Sequence, residues 1–383
     1  MAFEKICYGR TTANLACSIL KEFGVEPKHE TLKEADELLA GGFENVVLIL
    51  LDAMGMSVLE KNLPEDSFLR KEVKAEFKSV FLSTTVASTT SIMSGLYPAE
   101  HCWLGWDCYY PEIDKNVTTF FGTETETGEK AADFHPAFTL RPYKSVKEQI
   151  EEAGGEAHLI ATFAPPFPDS FEKEAESIKE LCGRKGKKFI YCYFDQPDGT
   201  MHKTGVTSEE SREVLKGLSD SVEKLCAELS QMSSESGSKT LVLVTADHGH
   251  MDPKPLCLLD YPDVLECLKR GPSLEPRAVN FFVKAECKGK FPEIFNGHFG
   301  GEFKLLTKEE VLEEELFGPL GDDISDEQRG KFTSMLGDFV AVAIGESAIY
   351  FTREDTKMFK GYHGGLTPEE TRIPLIGVNC GNL

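Results

Sequence analysis

Acidic, histidine and hydroxyl residues of this chain occur in short motifs that are typical of divalent-metal ligands. Carboxylate oxygen and imidazole nitrogen together suit two divalent cations and leave coordination positions for a substrate. Two cations side by side can stabilise both the attacking and the leaving oxygen in phosphoryl transfer. The sequence therefore predicts a bimetallic site for that chemistry. The motifs are L-L-D-A-M-G with Asp52, S-T-T-V-A-S-T-T-S-I-M-S-G-L-Y-P around Thr85, P-D-G-T-M-H with Asp198 and His202, T-A-D-H-G-H with Asp247 and His248, and Y-H-G-G with His363.

The D-H-G-H motif places two potential ligands next to each other directly after an apolar run. Asp247 and His248 can both face one crevice if the chain turns at Gly249. The alternative is a helix-capping Asp followed by a surface His. His250 is expected to contact a ligand rather than the metal itself.

The P-D-G-T-M-H motif separates an acid and an imidazole by four positions. One helical turn brings Asp198 and His202 to the same side, and Pro197 suits the entry to that helix. Asp195 is a rival ligand three residues earlier, and a capping Asp with an incidental His is the alternative for the whole motif. His363 lies in a glycine-rich loop, and it is a candidate metal ligand only in combination with the other motifs.

Several hydroxyls lie at the start of a predicted helix before Gly95. Such residues commonly cap free amide groups. A nucleophile there would instead have its hydroxyl pKa lowered by the helix field and by a metal. Spacing alone does not choose among Ser83, Thr84, Thr85 and Ser88.

Three apolar runs end at or just before the acids of these motifs, and they predict the elements that position the site. A continuous apolar run is typical of a parallel strand that is buried on both faces. Strands alternating with helices predict a doubly wound, mostly parallel α/β sheet flanked by helices, whose ligands bind at the carboxyl edge. Three acids converging there would repel one another unless cations lie between them. The runs are N-V-V-L-I-L-L-D (45–52), F-I-Y-C-Y-F-D (189–195) and T-L-V-L-V-T-A-D (240–247).

The domain organisation follows from the remaining patterns in the 383 residues. Residues 1–262 are predicted to form the first part of the core, with two helices within 11–40. Residues 263–345 are predicted to form a small inserted α+β cap, in which Arg277 either reaches an anionic substrate or is paired or solvated. Residues 346–383 return to the core with His363, and residues 100–150 are expected to be loops over the site.

Charge and cysteine usage restrict the partners and the compartment. The net charge of −23 argues against binding of duplex nucleic acid, but a small phosphorylated substrate is compatible because bound metals reverse the local field. The 11 cysteines are dispersed without a C-x-x-C pair. No signal-like N-terminus and no apolar stretch of membrane-spanning length is visible. We therefore expect a cytoplasmic protein with free thiols and no membrane association; the oligomeric state is left open.

As an ordered set, the motifs resemble the alkaline phosphatase superfamily, and most closely its type I phosphodiesterase/nucleotide pyrophosphatase branch. The resemblance spans about Asn45 to Val378. It implies a nucleophile ten residues before Gly95, which is Thr85. It also implies two metal ions, usually Zn²⁺, with Mn²⁺ as a possibility. One would be held by Asp198, His202 and His363, and the other by Asp52, Asp247 and His248 together with Thr85.

The resemblance further implies a two-step hydrolysis of a phosphoric ester, with attack by Thr85 and later release by water. A phosphodiesterase or nucleotide pyrophosphatase is the first expectation. The alternatives are a phosphomonoesterase and an isomerase like the cofactor-independent phosphoglycerate mutases, which share this core. Those isomerases use a serine nucleophile and further basic residues that have no evident counterpart here. A sulfatase is excluded because the nucleophile segment lacks a C-x-P-x-R or S-x-P-x-R motif.

Overall fold

Strands and helices alternate along residues 6–381, the part of the chain that the computed structural model describes. The strands are β1 (Asn45–Leu51), β2 (Val73–Lys78), β3 (Asp107–Tyr110), β4 (Lys115–Thr118), β5 (Thr123–Glu124), β6 (Glu156–Ala161), β7 (Lys188–Phe194), β8 (Thr240–Thr245), β9 (Lys254–Cys257), β10 (Ser273–Glu275), β11 (Ala278–Phe281), β12 (Phe303–Thr307), β13 (Phe339–Ala343), β14 (Ser347–Tyr350) and β15 (Arg372–Asn379). The helices are α1 (Thr12–Glu22), α2 (Lys33–Leu39), α3 (Met56–Asn62), α4 (Phe68–Lys71), α5 (Thr85–Ser94), α6 (Pro98–His101), α7 (Pro136–Leu140), α8 (Val146–Glu152), α9 (Phe171–Cys182), α10 (Asp198–Thr204), α11 (Glu209–Ser236), α12 (Pro262–Leu265), α13 (Phe291–Phe299), α14 (Lys308–Glu313), α15 (Asp326–Met335), α16 (Asp355–Met358) and α17 (Pro368–Thr371). Two short 3-10 helices span Leu258–Asp260 and Ala285–Cys287.

The first sheet has the strand order β2-β15-β8-β1-β7-β6. Strands β6, β7, β1 and β8 pair in parallel, and β15 is antiparallel to both of its neighbours. Every residue of β1 and β8 is buried, which explains their continuous apolar sequences, since both faces of these strands are covered. The predicted mostly parallel sheet is confirmed.

Amphipathic helices cover the two faces of this sheet. Helix α11 buries Leu215, Leu218, Val222, Leu225 and Leu229, which recur at the spacing of one helical face. The two helices predicted within residues 11–40 are α1 and α2. No helix within residues 6–381 is both long enough and apolar enough to cross a membrane.

A second sheet has the order β12-β13-β11-β10-β3-β4-β5, and its strand pairs are antiparallel. Within residues 263–345, strand β11, helix α13, strand β12 and helix α14 follow one another along the chain. The expectation of loops over 100–150 was wrong, because β3, β4 and β5 belong to this sheet. Its core is rich in phenylalanine, including Phe281, Phe291, Phe295, Phe299, Phe303 and Phe339. The boundaries 263 and 345 of the cap stay a prediction.

Candidate active site

The three predicted acids lie at the carboxyl edge of the first sheet. In the register of the parallel strands, Leu51 lies opposite Phe194, and Leu50 lies opposite Thr245. Neighbouring strands therefore end level with one another. Asp52 follows β1, Asp198 begins the helix after β7, and Asp247 follows β8 by two residues. This is the edge at which ligands bind in such sheets.

Asp198 is surrounded by three imidazoles. One ligand atom each from Asp198, His202, His250 and His363 lies within 4.8 Å of the other three. The Nε2 atoms of His202, His250 and His363 are 3.3, 3.4 and 3.6 Å from Asp198 carboxylate oxygens. His250 was expected only to support a ligand, and the structure places it inside the cluster. The second His of the H-G-H sequence was the available signal, but no local spacing rule distinguishes it from a supporting residue.

A second cluster shares Asp198 with the first. Its ligand atoms come from Asp52, Asp198 and His248, again within 4.8 Å of one another. His248 Nε2 is 3.4 Å from Asp52 Oδ1 and 3.5 Å from Asp247 Oδ2. Oδ1 of Asp247 accepts hydrogen bonds from the backbone amides of Ala53 and His248. Asp247 is therefore held beside this cluster with its other oxygen directed to His248.

Four polar atoms at this edge are buried and make no well-formed hydrogen bond among the described residues, although two of them, His250 Nε2 and Asp198 Oδ1, lie 3.4 Å apart. The four are Asp52 Oδ1, Asp198 Oδ1, Asp247 Oδ2 and His250 Nε2. A buried polar atom without a partner costs free energy. Three carboxylate oxygens and one imidazole nitrogen, unpaired in one place, form a donor set that fits divalent cations. The residues present at this edge therefore fit the predicted metal site.

Burial and the neighbouring charges shift the pKa values of the three carboxyl groups. Burial raises the pKa of Asp52, and the nearby Asp247 and Asp198 raise it further. Burial also raises the pKa of Asp247 to about 7. For Asp198, burial acts in the same direction, but His202, His250 and His363 outweigh it and the pKa lies below its ordinary value. Asp52 and Asp247 therefore hold their protons more strongly than usual unless a bound cation replaces those protons.

Backbone carbonyls orient the imidazoles toward the clusters. The Nδ1 atoms of His202, His248 and His363 lie 2.9, 2.8 and 3.1 Å from the carbonyl oxygens of Gly361, Gly249 and Ser83. A carbonyl only accepts, so Nδ1 carries the proton and Nε2 presents its lone pair to the site. Burial lowers the pKa of His248, His250 and His363, which favours the neutral form that binds metals.

The four candidate hydroxyls differ in their partners. Ser83 donates to Gly365 O, Thr84 to Glu275 Oε1 and Ser88 to Asp247 O, at 2.6, 2.7 and 2.7 Å. Thr85 is the first residue of α5, and its Oγ1 lies 3.3 Å from His248 Nε2. Thr85 is thus the hydroxyl that faces the clusters, while the other three are bonded elsewhere. The four were not separable by local sequence because their partners are distant in the chain.

Two other predicted candidates lie outside the site. Asp195 belongs to neither cluster. Arg277 is fully buried, pairs with Glu370 and donates to two backbone carbonyls. The paired alternative for Arg277 is the one observed.

Sequence reasoning missed two further buried residues at the site. Tyr193, near the end of β7, donates a hydrogen bond to Asp52 Oδ2. Glu275, the last residue of β10, accepts from Thr84 beside the candidate nucleophile. Neither belongs to a metal-ligand or nucleophile motif.

Comparison with known families identifies the family of this chain. The sequence model of the family "Type I phosphodiesterase / nucleotide pyrophosphatase" matches residues 46–366. The chain belongs to this family. It is therefore a metal-dependent hydrolase of phosphoric ester bonds, and the resemblance expected from the motifs is confirmed. No curated protein sequence matches the chain at a significant level.

Solved structures show the same fold at low sequence identity. Murine ectonucleotide pyrophosphatase/phosphodiesterase 5 is 19% identical, with a TM-score of 0.61 over 86% of this chain and 87% of that one. An inactive threonine-to-alanine form of the murine protein, in complex with AMP, has a TM-score of 0.60 at 19% identity and the same coverage. The human counterpart is 18% identical, with a TM-score of 0.61 and the same coverage.

Proposed function

We propose that this hydrolase cleaves phosphodiester or pyrophosphate bonds of small molecules, with Thr85 as the nucleophile and two divalent metal ions. One observation carries the proposal. The hydroxyl of Thr85, a residue that is only 9% exposed, lies 3.3 Å from Nε2 of His248, and His248 shares a ligand cluster with Asp52 and Asp198, each of which has a buried carboxylate oxygen without a hydrogen-bond partner among the described residues. A nucleophile beside cation ligands is the arrangement that phosphoryl transfer requires.

The two metal ions would share the donors described above. Asp198, His202 and His363 would hold one, with His250 beside them. Asp52, Asp247 and His248 would hold the other, together with Thr85. Mixed nitrogen and oxygen donors suit Zn²⁺, with Mn²⁺ as the alternative. When bound, such ions would act as Lewis acids that stabilise charge on the attacking and leaving oxygens.

The start of helix α5 supplies both the attacking hydroxyl and amide groups that could bind the phosphoryl oxygens. Thr85 begins α5, where the helix field lowers the pKa of a hydroxyl. The amides of Val86 and Ala87 precede the first intrahelical bond, from Ser88 N to Thr84 O. Among the described residues these two amides have no hydrogen-bond partner, so they can donate to the non-bridging oxygens of a bound phosphoryl group. Thr85 would attack phosphorus in line, and the leaving oxygen would depart on the opposite side.

The charges around the site favour phosphodiesters and internal pyrophosphates, whose attacked phosphoryl group carries one negative charge, over phosphomonoesters, whose phosphoryl group carries two. Among the described residues, no Lys or Arg pairs with Asp52, Asp198 or Asp247, and Arg277 is neutralised by Glu370. Neither Arg277 nor any cation paired with these acids would therefore offset the second negative charge of a phosphomonoester. The same deficit disfavours the mutase-like alternative. The AMP complex of the murine relative supports a nucleotide-like substrate, and the loss of activity in its threonine-to-alanine form supports a threonine nucleophile.

We also propose a reducing, cytoplasmic setting for this chain. All 11 cysteines are free, and only Cys7 is exposed. Buried, unpaired thiols in this number are typical of reducing compartments. The net charge of −23 supports a small substrate rather than duplex nucleic acid.

A substrate panel with matched variants tests the proposed function. With Zn²⁺ or Mn²⁺, the protein should cleave bis(p-nitrophenyl) phosphate faster than p-nitrophenyl phosphate. Thr85→Ala should lower kcat/KM by roughly 10³-fold or more, as loss of a nucleophile does, and keep the metal content. Thr85→Ser should retain part of the activity. The control is Ser91→Ala, which removes another buried hydroxyl of the same helix, one that contacts His101.

Each arm has an outcome that contradicts one part of the proposal. A clear preference for the monoester would reverse the substrate assignment. Full activity of Thr85→Ala would remove Thr85 from its role. A protein that cleaves esters with fewer than two bound metal ions would refute the bimetallic site.

A further inference from the structure

Strand β10 ends in a buried carboxylate at the edge of the active site. Glu275 is 1% exposed. Its Oε1 accepts hydrogen bonds from Thr84 Oγ1 at 2.7 Å and from the amide of Trp106 at 2.9 Å. Its Oε2 accepts from the Tyr362 hydroxyl at 3.2 Å. One side chain of the second sheet thus joins three segments that are distant in sequence.

Two of these partners adjoin the candidate catalytic machinery. Thr84 is the N-cap of α5 and immediately precedes Thr85. Tyr362 immediately precedes His363, and the two rings stack with centroids 5.4 Å apart at 17°. The ring of Tyr362 also packs edge-on against His202 at 5.1 Å. Glu275 therefore contacts the neighbours of the nucleophile on one side and of two metal ligands on the other.

The loop after His363 fits closely against the same side chain. Gly364 has φ +111°, a conformation that L side chains rarely adopt, and a Cβ there would lie 3.2 Å from Glu275 Cβ. The candidate ligand loop and the strand that carries Glu275 therefore approach each other at a position where only glycine fits well. This close approach fixes the distance between the second sheet and His363.

A purely structural role does not account for an acid at this position. A buried carboxylate costs free energy unless a cation pairs with it, and no ion pair of Glu275 occurs among the described residues. Burial raises its pKa to about 8. Costly polar groups of this kind concentrate at functional sites.

We propose that Glu275 is a positioning residue that sets the separation between the Thr85 hydroxyl and the His363 imidazole. Oε1 holds Thr84 and the start of α5, and Oε2 holds Tyr362 and the loop with His363. The inference rests on the proposed function, because it takes Thr85 as the nucleophile and His363 as a metal ligand. Misplacement of such groups by about 1 Å can cost two orders of magnitude in rate.

The test compares two substitutions at Glu275 with a control in the same hairpin. In Glu275→Gln, the amide oxygen can still accept from Thr84 and Trp106, and the NH₂ group can donate to the Tyr362 oxygen. Glu275→Leu keeps the volume and removes all three contacts. Asn280→Ala, the control, removes hydrogen bonds to Ser273 and Met335 at the other end of the hairpin.

Two readouts separate positioning from stability. Glu275→Leu should lower kcat for bis(p-nitrophenyl) phosphate by about 10- to 100-fold with little change in KM, and should weaken Co²⁺ binding in a spectroscopic titration by a similar factor. Glu275→Gln should retain most of the wild-type kcat and most of the wild-type Co²⁺ affinity. Asn280→Ala should lower Tm and leave kcat and Co²⁺ affinity unchanged. Thr84→Val should lower kcat in the wild type and have little further effect in the Glu275→Leu background.

The outcomes that overturn the proposal are distinct from those that overturn the function. If Glu275→Leu matches the wild type in kcat and Co²⁺ affinity, or if Asn280→Ala loses as much as Glu275→Leu, Glu275 does not position the site. If Glu275→Leu fails to fold, Thr84→Val and Tyr362→Phe decide, and full kcat in both refutes the proposal. A wild-type protein that cleaves no ester refutes the proposed function instead, and the Co²⁺ titration then still tests Glu275.

Discussion

Replacing either member of the buried Arg277–Glu370 ion pair should destabilise the protein, and replacing both should cost less than the sum of the two single losses. Both side chains are 0% exposed. Arg277 Nε donates to Glu370 Oε1 at 2.6 Å, and Nη2 donates to Oε2 at 2.8 Å. Glu370 also accepts from the amide of Gly365 and from the hydroxyl of Thr367. The pair is therefore bidentate, dry and tied to the loop that carries His363.

The expected magnitude follows from the charge that each variant leaves behind. Glu370→Gln leaves the Arg277 guanidinium buried without a counter-ion, and Arg277→Met leaves the Glu370 carboxylate in the same condition. Breaking a buried pair from one side costs about 3–5 kcal/mol. The double variant leaves no buried charge, so its loss should fall short of the sum of the single losses by about 1–3 kcal/mol.

The pH dependence has a definite sign. Burial raises the pKa of Glu370, but Arg277 more than offsets this and the pKa lies below the ordinary value of 4.5. The carboxylate therefore contributes stability above its unfolded-state pKa and loses it as the pH falls through the folded-state pKa. The difference in stability between the wild type and Glu370→Gln should shrink below about pH 4.

Urea unfolding measures these differences. The chain has two tryptophans, and Trp106 donates its amide proton to Glu275, two residues from Arg277, so fluorescence reports on this region. The control is Glu346→Gln, which breaks the exposed pair with Lys254 and should not change the free energy of unfolding measurably. The reasoning is refuted if the two single losses add up in the double variant, or if either is no larger than that of the surface control.

Two further predictions concern buried groups beside the sheet. Tyr193→Phe removes the hydroxyl that donates to Asp52 Oδ2, so Co²⁺ affinity and kcat should fall by about 10- to 100-fold; an unchanged titration would show that Tyr193 does not orient Asp52. Glu174 bonds only to the Cys192 thiol, its Oε1 has no partner among the described residues, and burial raises its pKa from 4.5 to about 8. Its native state favours the protonated form, so the wild type should lose stability relative to Glu174→Gln as the pH rises from about 4.5 to 8, and equal pH slopes in urea unfolding would contradict this.

The parts of the fold that the sequence predicts are those with a local signature. Strands β1, β7 and β8 are apolar throughout because both faces are covered, and that pattern is visible without any partner. Once these strands are parallel neighbours, the acids after them meet at one edge. The placement of Asp52, Asp198 and Asp247 could therefore be predicted from three short runs.

The parts that could not be predicted depend on distant partners. Strands β3 and β4 have four residues each, and β3 joins the sheet through a pairing of Asp107 with Leu274. Nothing within residues 100–150 indicates that partner, so the segment has the composition of loops. The charged residues of the E-P-R-A turn are typical of a solvated turn. Glu275 and Arg277 are nevertheless buried, because their partners Tyr362 and Glu370 lie near the end of the chain.

The two sheets position different residues of the site. The first sheet fixes the three acids through the register of parallel strands, a constraint spread over many backbone hydrogen bonds. Thr85 and His363 lie on segments outside that register, and Glu275 at the end of β10 contacts the residue before each of them, Thr84 and Tyr362. A change at Glu275 could therefore alter the distance between nucleophile and metal ligand while every ligand stays in place. This separation explains why substitutions at Glu275 and at Arg277 should affect different measurements: the first acts on turnover through Thr84 and Tyr362, and the second acts on stability through Glu370.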